Sequence, residues 1–122
     1  MQLMQKTGTE RDLERLQGTW RFVSGWREAR LEVRDDWYHM EFANGTTYTG
    51  TLSLDPSARP RALDMRIDDG PPRHVGKACL AIYQFDGDHL IWAPGEPGSG
   101  VRPEAFPPHG DPEHLCVVFV RE

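Results

Sequence analysis

From Gly18 onward the chain is written almost entirely in a period of two. The stretch "TWRFVSGW" sets Trp20, Phe22, Ser24 and Trp26 on one face against Thr19, Arg21 and Val23. "EARLEV" is a shorter second run. "WYHMEF" groups Tyr38, Met40 and Phe42, and "TTYTGTLSL" sets Tyr48, Leu52 and Leu54 opposite a row of threonines. "ALDMRID" places Leu63, Met65 and Ile67 opposite Asp64, Arg66 and Asp68; "ACLAIYQF", "HLIWA" and "HLCVVFVR" complete the set. Asn44-Gly45 and Asp86-Gly87 are hairpin dipeptides of the type I′ kind. "DPSARP" and "DGPPRHVG" break the runs elsewhere, and the Pro/Gly-rich stretch "PGEPGSGVRPEAFPPHGDP" leads to the last strand. About eight short strands at this spacing, without alternating helices, exclude a parallel α/β sheet. An antiparallel sheet of that size removes its exposed edges by closing. The expected fold is all-β: an eight-stranded, antiparallel, up-and-down barrel, one domain over residues 1–122 with 1–8 flexible.

One short helix precedes the strands. Thr9 is placed to cap it, with Asp12 three residues later, Leu13 and Leu16 on one face, and Gln17-Gly18 at its end. Trp20 then follows in "LERLQGTW". In a closed barrel the first and last strands meet, so a large ring early in the first strand plugs the closed end. Arg121 in the last strand can lie over its indole face. Gly18, Trp20 and Arg121 are therefore read as the closure of the barrel. The last strands are apolar on both faces, so something must cover their outer side: the helix through Leu13 and Leu16, or a second copy of the chain.

Composition narrows the classes of function. The net charge is −5, with five acids against seven basic residues in 1–34 and an acidic excess in the rest. A phosphate backbone would be repelled by most of such a surface, so nucleic acid is not an expected partner. No run approaches the ~18 apolar residues of a membrane span. The N-terminus has no apolar core or cleavage site of a secretory signal, so a cytoplasmic location is expected. There Cys79 and Cys116 are read as free, buried thiols.

The short helix, Gly-x-Trp and terminal arginine resemble the lipocalins. More closely, "LQGTWRFVS", "ARPRALDM", "AIYQFDGDHL", "RPEAF" and the terminal Arg121 occur in the order seen in a bacterial lipocalin-like family of unknown function, common in planctomycetes and part of the broader lipocalin/calycin-like group. The resemblance covers residues 13–121. It implies a small β-barrel and carries no known activity. Ala81 stands where that family has glycine before Ile-Tyr, and "LIWAPG" replaces a more cysteine-rich stretch.

Candidate chemistry is sparse. Arg102, in "GVRPEAF", has two readings: it pins the long loop to the barrel through Asp64, Asp86 or Asp88, or it points into the mouth and binds a ligand carboxylate or phosphate. His114 and Cys116 share one face, and Cys79 shares its parity with Tyr83. Metal-ligand spacings such as Cys-x-x-Cys or His-x-x-x-His are lacking, so no metal and no cofactor is expected. His39 and Glu41 lie on the solvent side of their strand, where an acid–base pair has no pocket. Nucleophile elbow, P-loop and dinucleotide motifs are not present, and no catalytic residue is assigned. Trp26, Tyr38, Tyr48, Tyr83 and Trp92 are many large rings for a tightly filled lumen, and buried Tyr and Trp need polar partners. With Arg102 they are the candidate ligand-binding residues.

Three functions are open to such a chain. The first is a non-enzymatic barrel that binds a small, mostly apolar ligand in an aromatic-lined cavity. The second is a protein–protein interaction or regulatory module with a filled barrel, self-associating as a homodimer through its last three strands. The third is a cyclase or isomerase that uses the cavity as a template.

Overall fold

The computed structural model describes residues 7–25, 27–107 and 116–122. Trp26, His109 and His114 lie outside the described residues. Helix α1 (Gly8–Leu16) precedes β1 (Gly18–Gly25), β2 (Ala29–Arg34), β3 (Trp37–Phe42), β4 (Thr47–Asp55), β5 (Arg61–Asp69), β6 (Ala78–Asp86), β7 (His89–Pro94) and β8 (Val117–Arg121). Each strand pairs antiparallel with the next, and β1 pairs antiparallel with β8, so the sheet is a closed eight-stranded barrel. Among the described residues no helix is long and apolar enough to cross a membrane.

The period of two explains which side chains enter the lumen. Leu31 and Val33, Tyr38 and Met40, Leu63 and Met65, Leu90 and Trp92, and Val117 and Phe119 are all buried in one cluster. One departure comes in β1. The register against β8 shifts between Phe22 and Ser24, so Ser24 stands opposite Val118 and Gly25 opposite the buried Val117. A bulge adds one residue and exchanges the faces beyond it. Ser24 therefore does not continue the inward row of Trp20 and Phe22.

The helix begins earlier than its sequence reads. Thr7, not Thr9, is the N-cap, and its hydroxyl accepts the Glu10 amide at 3.0 Å. This frees Asp12 for the barrel. Only 6% exposed, its carboxylate accepts Arg61 Nη1 at 3.0 and 3.1 Å and the Tyr83 hydroxyl at 2.6 Å. Leu16 enters the lumen with Leu31, Val33 and Leu90 around a void of about 10 Å³, no larger than about one water. The helix thus seals one end of the barrel instead of covering the outer face of β6–β8. On that face Ala62, Ile82 and Ala93 align across β5, β6 and β7 and are 7%, 1% and 0% exposed. Beside Ile82 lie Arg59, Pro60, Arg102 and Pro103, so loops supply part of the cover.

Trp20 is 2% exposed at the sealed end, and its Nε1 donates to the Leu16 carbonyl at 2.9 Å. The Arg121 guanidinium lies 4.4 Å from the centre of the Trp20 ring and donates to the carbonyls of Gln17 and Arg15. These carbonyls are at the C-terminal end of α1, where intrahelical donors run out. Gly18 has φ +110°, and a Cβ there would stand 3.2 Å from Arg121 Nη1. The Gly-x-Trp spacing therefore turns the chain from helix to strand and leaves room for the arginine.

Neither hairpin dipeptide forms a type I′ turn, because that turn needs two consecutive positive φ angles. Asp35 is the only described non-glycine residue with positive φ. Between β3 and β4 the loop is Ala43-Asn44-Gly45. The Gly45 amide donates to Phe42, the Phe42 amide to Thr46, and Gly45 alone has positive φ. Asn44 serves the turn through its side chain, which accepts the Thr46 amide at 3.0 Å. Between β6 and β7, Asp86 pairs with His89, leaving Gly87 (φ +61°) and Asp88 as the loop. Asp35 itself is held by Gln17, whose side-chain oxygen accepts the Asp35 amide at 2.7 Å and whose nitrogen donates to its carbonyl at 2.8 Å.

Trp20→Ala is expected to destabilise the protein by about 3–5 kcal/mol, the cost of removing a large buried ring. Arg121→Ala is expected to cost about 1–2 kcal/mol, because its guanidinium is solvent-exposed on its other side. Urea melts of both single variants and the double variant measure their coupling. A double-mutant loss smaller than the sum is expected; strict additivity contradicts the contact. Asp12→Ala leaves Arg61 and Tyr83 without their shared acceptor and is expected to cost about 2–3 kcal/mol. A loss below about 0.5 kcal/mol, the size of an ordinary surface substitution, would show that the cluster does not anchor the helix.

Candidate functional site

Among the described residues the end of the lumen opposite α1 is not filled. Tyr38, Met40 and Phe42 of β3, Tyr48 of β4, Met65 and Ile67 of β5, Cys79 of β6 and Trp92 of β7 line a cavity of about 1040 Å³. Its rim comes from the loops at this end, through Arg27, Arg73, His74, Glu96 and Glu104. A second hollow of about 680 Å³ lies outside the barrel, against Asp64, Pro60 and Pro103. The inner cavity has the concave, aromatic, mostly apolar wall that holds small molecules. The outer hollow has no aromatic residue on its wall.

The sequence-derived candidates separate in space. Tyr38, Tyr48 and Trp92 line the cavity. Tyr38 spends its hydroxyl on the Arg66 carbonyl at 2.9 Å, and burial raises its pKa. Trp92 forms the floor: it touches both the cavity and the sealed end. Its Nε1 is the only buried side-chain nitrogen or oxygen without a hydrogen bond among the described residues. Tyr83 is at the sealed end, held by Asp12, and does not reach the cavity. Arg102 lies on the wall with both terminal nitrogens engaged: Nη2 bonds Asp64, and Nη1 bonds the carbonyls of Ala81 at 2.8 Å and Leu63 at 3.2 Å. It ties the β7–β8 loop to β5 and β6. Trp26 lies outside the described residues.

The rim holds an arrangement that strand periodicity does not reveal. The Arg27 guanidinium sits 4.3 Å over the Phe42 ring. Phe42 meets Tyr48 edge-on at 6.1 Å, and Tyr48 stacks on His74 at 5.8 Å. The Tyr48 hydroxyl is 2.9 Å from His74 Nδ1, and Arg73 Nε donates to His74 Nε2 at 3.3 Å. Two arginines thus bracket a row of three rings. Partial burial lowers the pKa of His74, and Arg73 and Lys77 lower it further against the opposing charge of Glu96, which favours the neutral ring. Burial raises the pKa of the Tyr48 hydroxyl, opposed by Arg73 and Arg27. Arg27 lies between β1 and β2, and Arg73 lies in the β5–β6 loop "PPRHVG". The only sequence signal for them was the loops' shared place at one end of an up-and-down barrel.

Nucleophilic chemistry is weakly provided for. Cys79 is buried, donates its thiol to the Gly95 carbonyl at 3.3 Å, and is pushed by burial up to about 12. Cys116 is free and half-buried, and burial raises its pKa too. Among the described residues no group of three or more His, Cys, Asp or Glu converges as a metal site would require. His39 lies on the outer surface, bonded to Thr49 at 3.0 Å and stacked on Trp37. Comparison with protein-family models, curated proteins and solved structures yields no match for this chain.

The raised Cys79 pKa has a measurable consequence. Above pH ~8.5 the unfolded chain loses the thiol proton while the folded chain keeps it, so stability falls as pH rises toward 12. Between pH 8 and pH 10 this amounts to about 2 kcal/mol. Urea melts at both pH values are expected to show an alkaline loss that is larger in the wild type than in Cys79→Ala by about that amount. An equal alkaline loss in both proteins contradicts the assignment.

Proposed function

We propose that this protein is a non-enzymatic, lipocalin-like barrel that takes one small, mostly apolar molecule into the open half of its lumen. The observation that carries the reading is the asymmetry of the interior. One end is packed around a void of about 10 Å³, while the other keeps a cavity of about 1040 Å³ walled by Tyr38, Met40, Phe42, Ile67 and Trp92. Apolar surface of this kind stabilises an apolar guest by about 25 cal/mol per Å² buried. The resemblance of residues 13–121 to a lipocalin-like family bears on the barrel fold alone and leaves the function open. A templating enzyme is less well supported, because Cys79 is held protonated and His74 is bound on both ring nitrogens.

A second reading, self-association, draws on the outer face of β7 and β8, where Ile91 and Val118 pair and are only half-buried. Val23 nearby is 43% exposed. Light scattering at high concentration separates the two: a strict monomer removes the second reading.

The neutral fluorescent probe N-phenyl-naphthylamine is expected to bind the folded protein at one site, with a blue-shifted emission. Ile67→Trp, which adds bulk inside the cavity wall, is expected to abolish binding while the far-UV spectrum stays that of a β protein. Absence of binding to the wild type, or unchanged binding to Ile67→Trp, contradicts the proposal.

A further inference from the structure

We infer that the cavity selects an apolar carboxylate, held with its body in the lumen and its carboxylate at the rim between Arg27, Arg73 and the Tyr48 hydroxyl. The inference rests on the binding function proposed above and adds the chemical class of the ligand. Its basis is the direction of the rim's hydrogen bonds. His74 Nε2 accepts from Arg73, so the neutral ring carries its proton on Nδ1 and donates it to the Tyr48 oxygen. The Tyr48 hydroxyl hydrogen is then free to donate elsewhere. Arg27 gives its guanidinium face to Phe42, and among the described residues its N–H edge is unengaged and Arg73 uses only Nε. The rim therefore presents donors without matching acceptors.

The charges agree. The chain carries 19 acidic residues against 14 Lys and Arg, so an arginine without a carboxylate is not forced by composition. Elsewhere Arg30, Arg34, Arg61, Arg66 and Arg102 each hold a carboxylate, and Arg15, Arg59 and Arg121 donate instead to backbone carbonyls. Arg27 and Arg73 hold none among the described residues, although Glu96 and Glu104 lie on the same cavity wall. A carboxylate is planar and accepts in two directions, which suits the guanidinium fork. Beside the rings it is partly shielded from water, where such bonds strengthen.

Competition against bound N-phenyl-naphthylamine tests the inference with matched pairs: dodecanoate against dodecanol, and naphthylacetate against naphthylethanol. In each pair the acid is expected to displace the dye at about tenfold lower concentration than the alcohol, the effect of one charge-assisted hydrogen bond. Whichever acid is tighter tells whether a flexible chain or a ring body is preferred. The double variant Arg27→Gln/Arg73→Gln is expected to lose the preference, read as the ratio of acid to alcohol affinity after the dye affinity of the variant itself has been measured. Both residues are in loops outside the core, and circular dichroism verifies the fold. Tyr48→Phe is expected to lose part of the preference. If the dye binds and acid and alcohol compete equally, or the double variant keeps the preference, the carboxylate assignment is overturned and the cavity reading stands. If neither the dye nor, by calorimetry, dodecanoate binds, both are overturned.

Discussion

The pairing of β1 with β8 is the constraint on which everything else in this molecule depends. Eight twisted strands without it would be an open sheet with two long edges, each a row of unpaired amides and carbonyls. The pairing is secured where the strands meet the helix. Trp20 hydrogen-bonds the Leu16 carbonyl, and Arg121 lies over the Trp20 ring while it binds the carbonyls of Arg15 and Gln17. One arginine thus joins the last strand, the first strand and the end of the helix. A lysine could carry the charge but not reach two carbonyls with a planar fork over an indole.

Closing the barrel in this way decides where the cavity is. The helix delivers Leu16 and Asp12 to one end, and Asp12 draws in Arg61 and Tyr83 from β5 and β6. Both oxygens of the buried Asp12 carboxylate and the Tyr83 hydroxyl have partners, and Arg61 keeps one side in solvent, so the carboxylate can be buried at little net cost. The space left over lies at the other end, where loops supply charge and the upper strands supply rings. Tyr83 and Tyr48 illustrate the division. Both enter the lumen, but one is locked to an internal carboxylate and the other shares its oxygen with a loop histidine at the rim.

Arg102 shows how a residue at a cavity wall can be structural. Its guanidinium binds Asp64 and two carbonyls from neighbouring strands, so it has little left for a ligand. Arg27 and Arg73, less conspicuous in the sequence, retain donors without an acceptor among the described residues. The difference is the neighbourhood: Arg102 lies against strand backbone, whereas Arg27 rests on the face of a ring, which engages charge but not N–H groups.

The sequence by itself determined the strands and their closure. Alternation with a period of two is local and assigns faces as soon as one face must be buried, and Gly18, Trp20 and Arg121 stand at positions whose chemistry makes sense only if the first and last strands touch. Tyr38, Tyr48 and Trp92 were legible as inward rings for the same reason. Only the tertiary structure decided the rest. A one-residue bulge after Phe22 moved Ser24 to the other face, and a helix starting at Thr7 turned Asp12 from a capping residue into an internal acceptor. The turns at Asn44 and Asp86 took forms that their dipeptides alone did not specify. The row from Arg27 to Arg73 joins residues of four separate segments, brought together because the β1–β2 and β5–β6 loops lie at the same end of the barrel. Loop side chains follow no period, so their direction is set by the contacts they find after the sheet has closed.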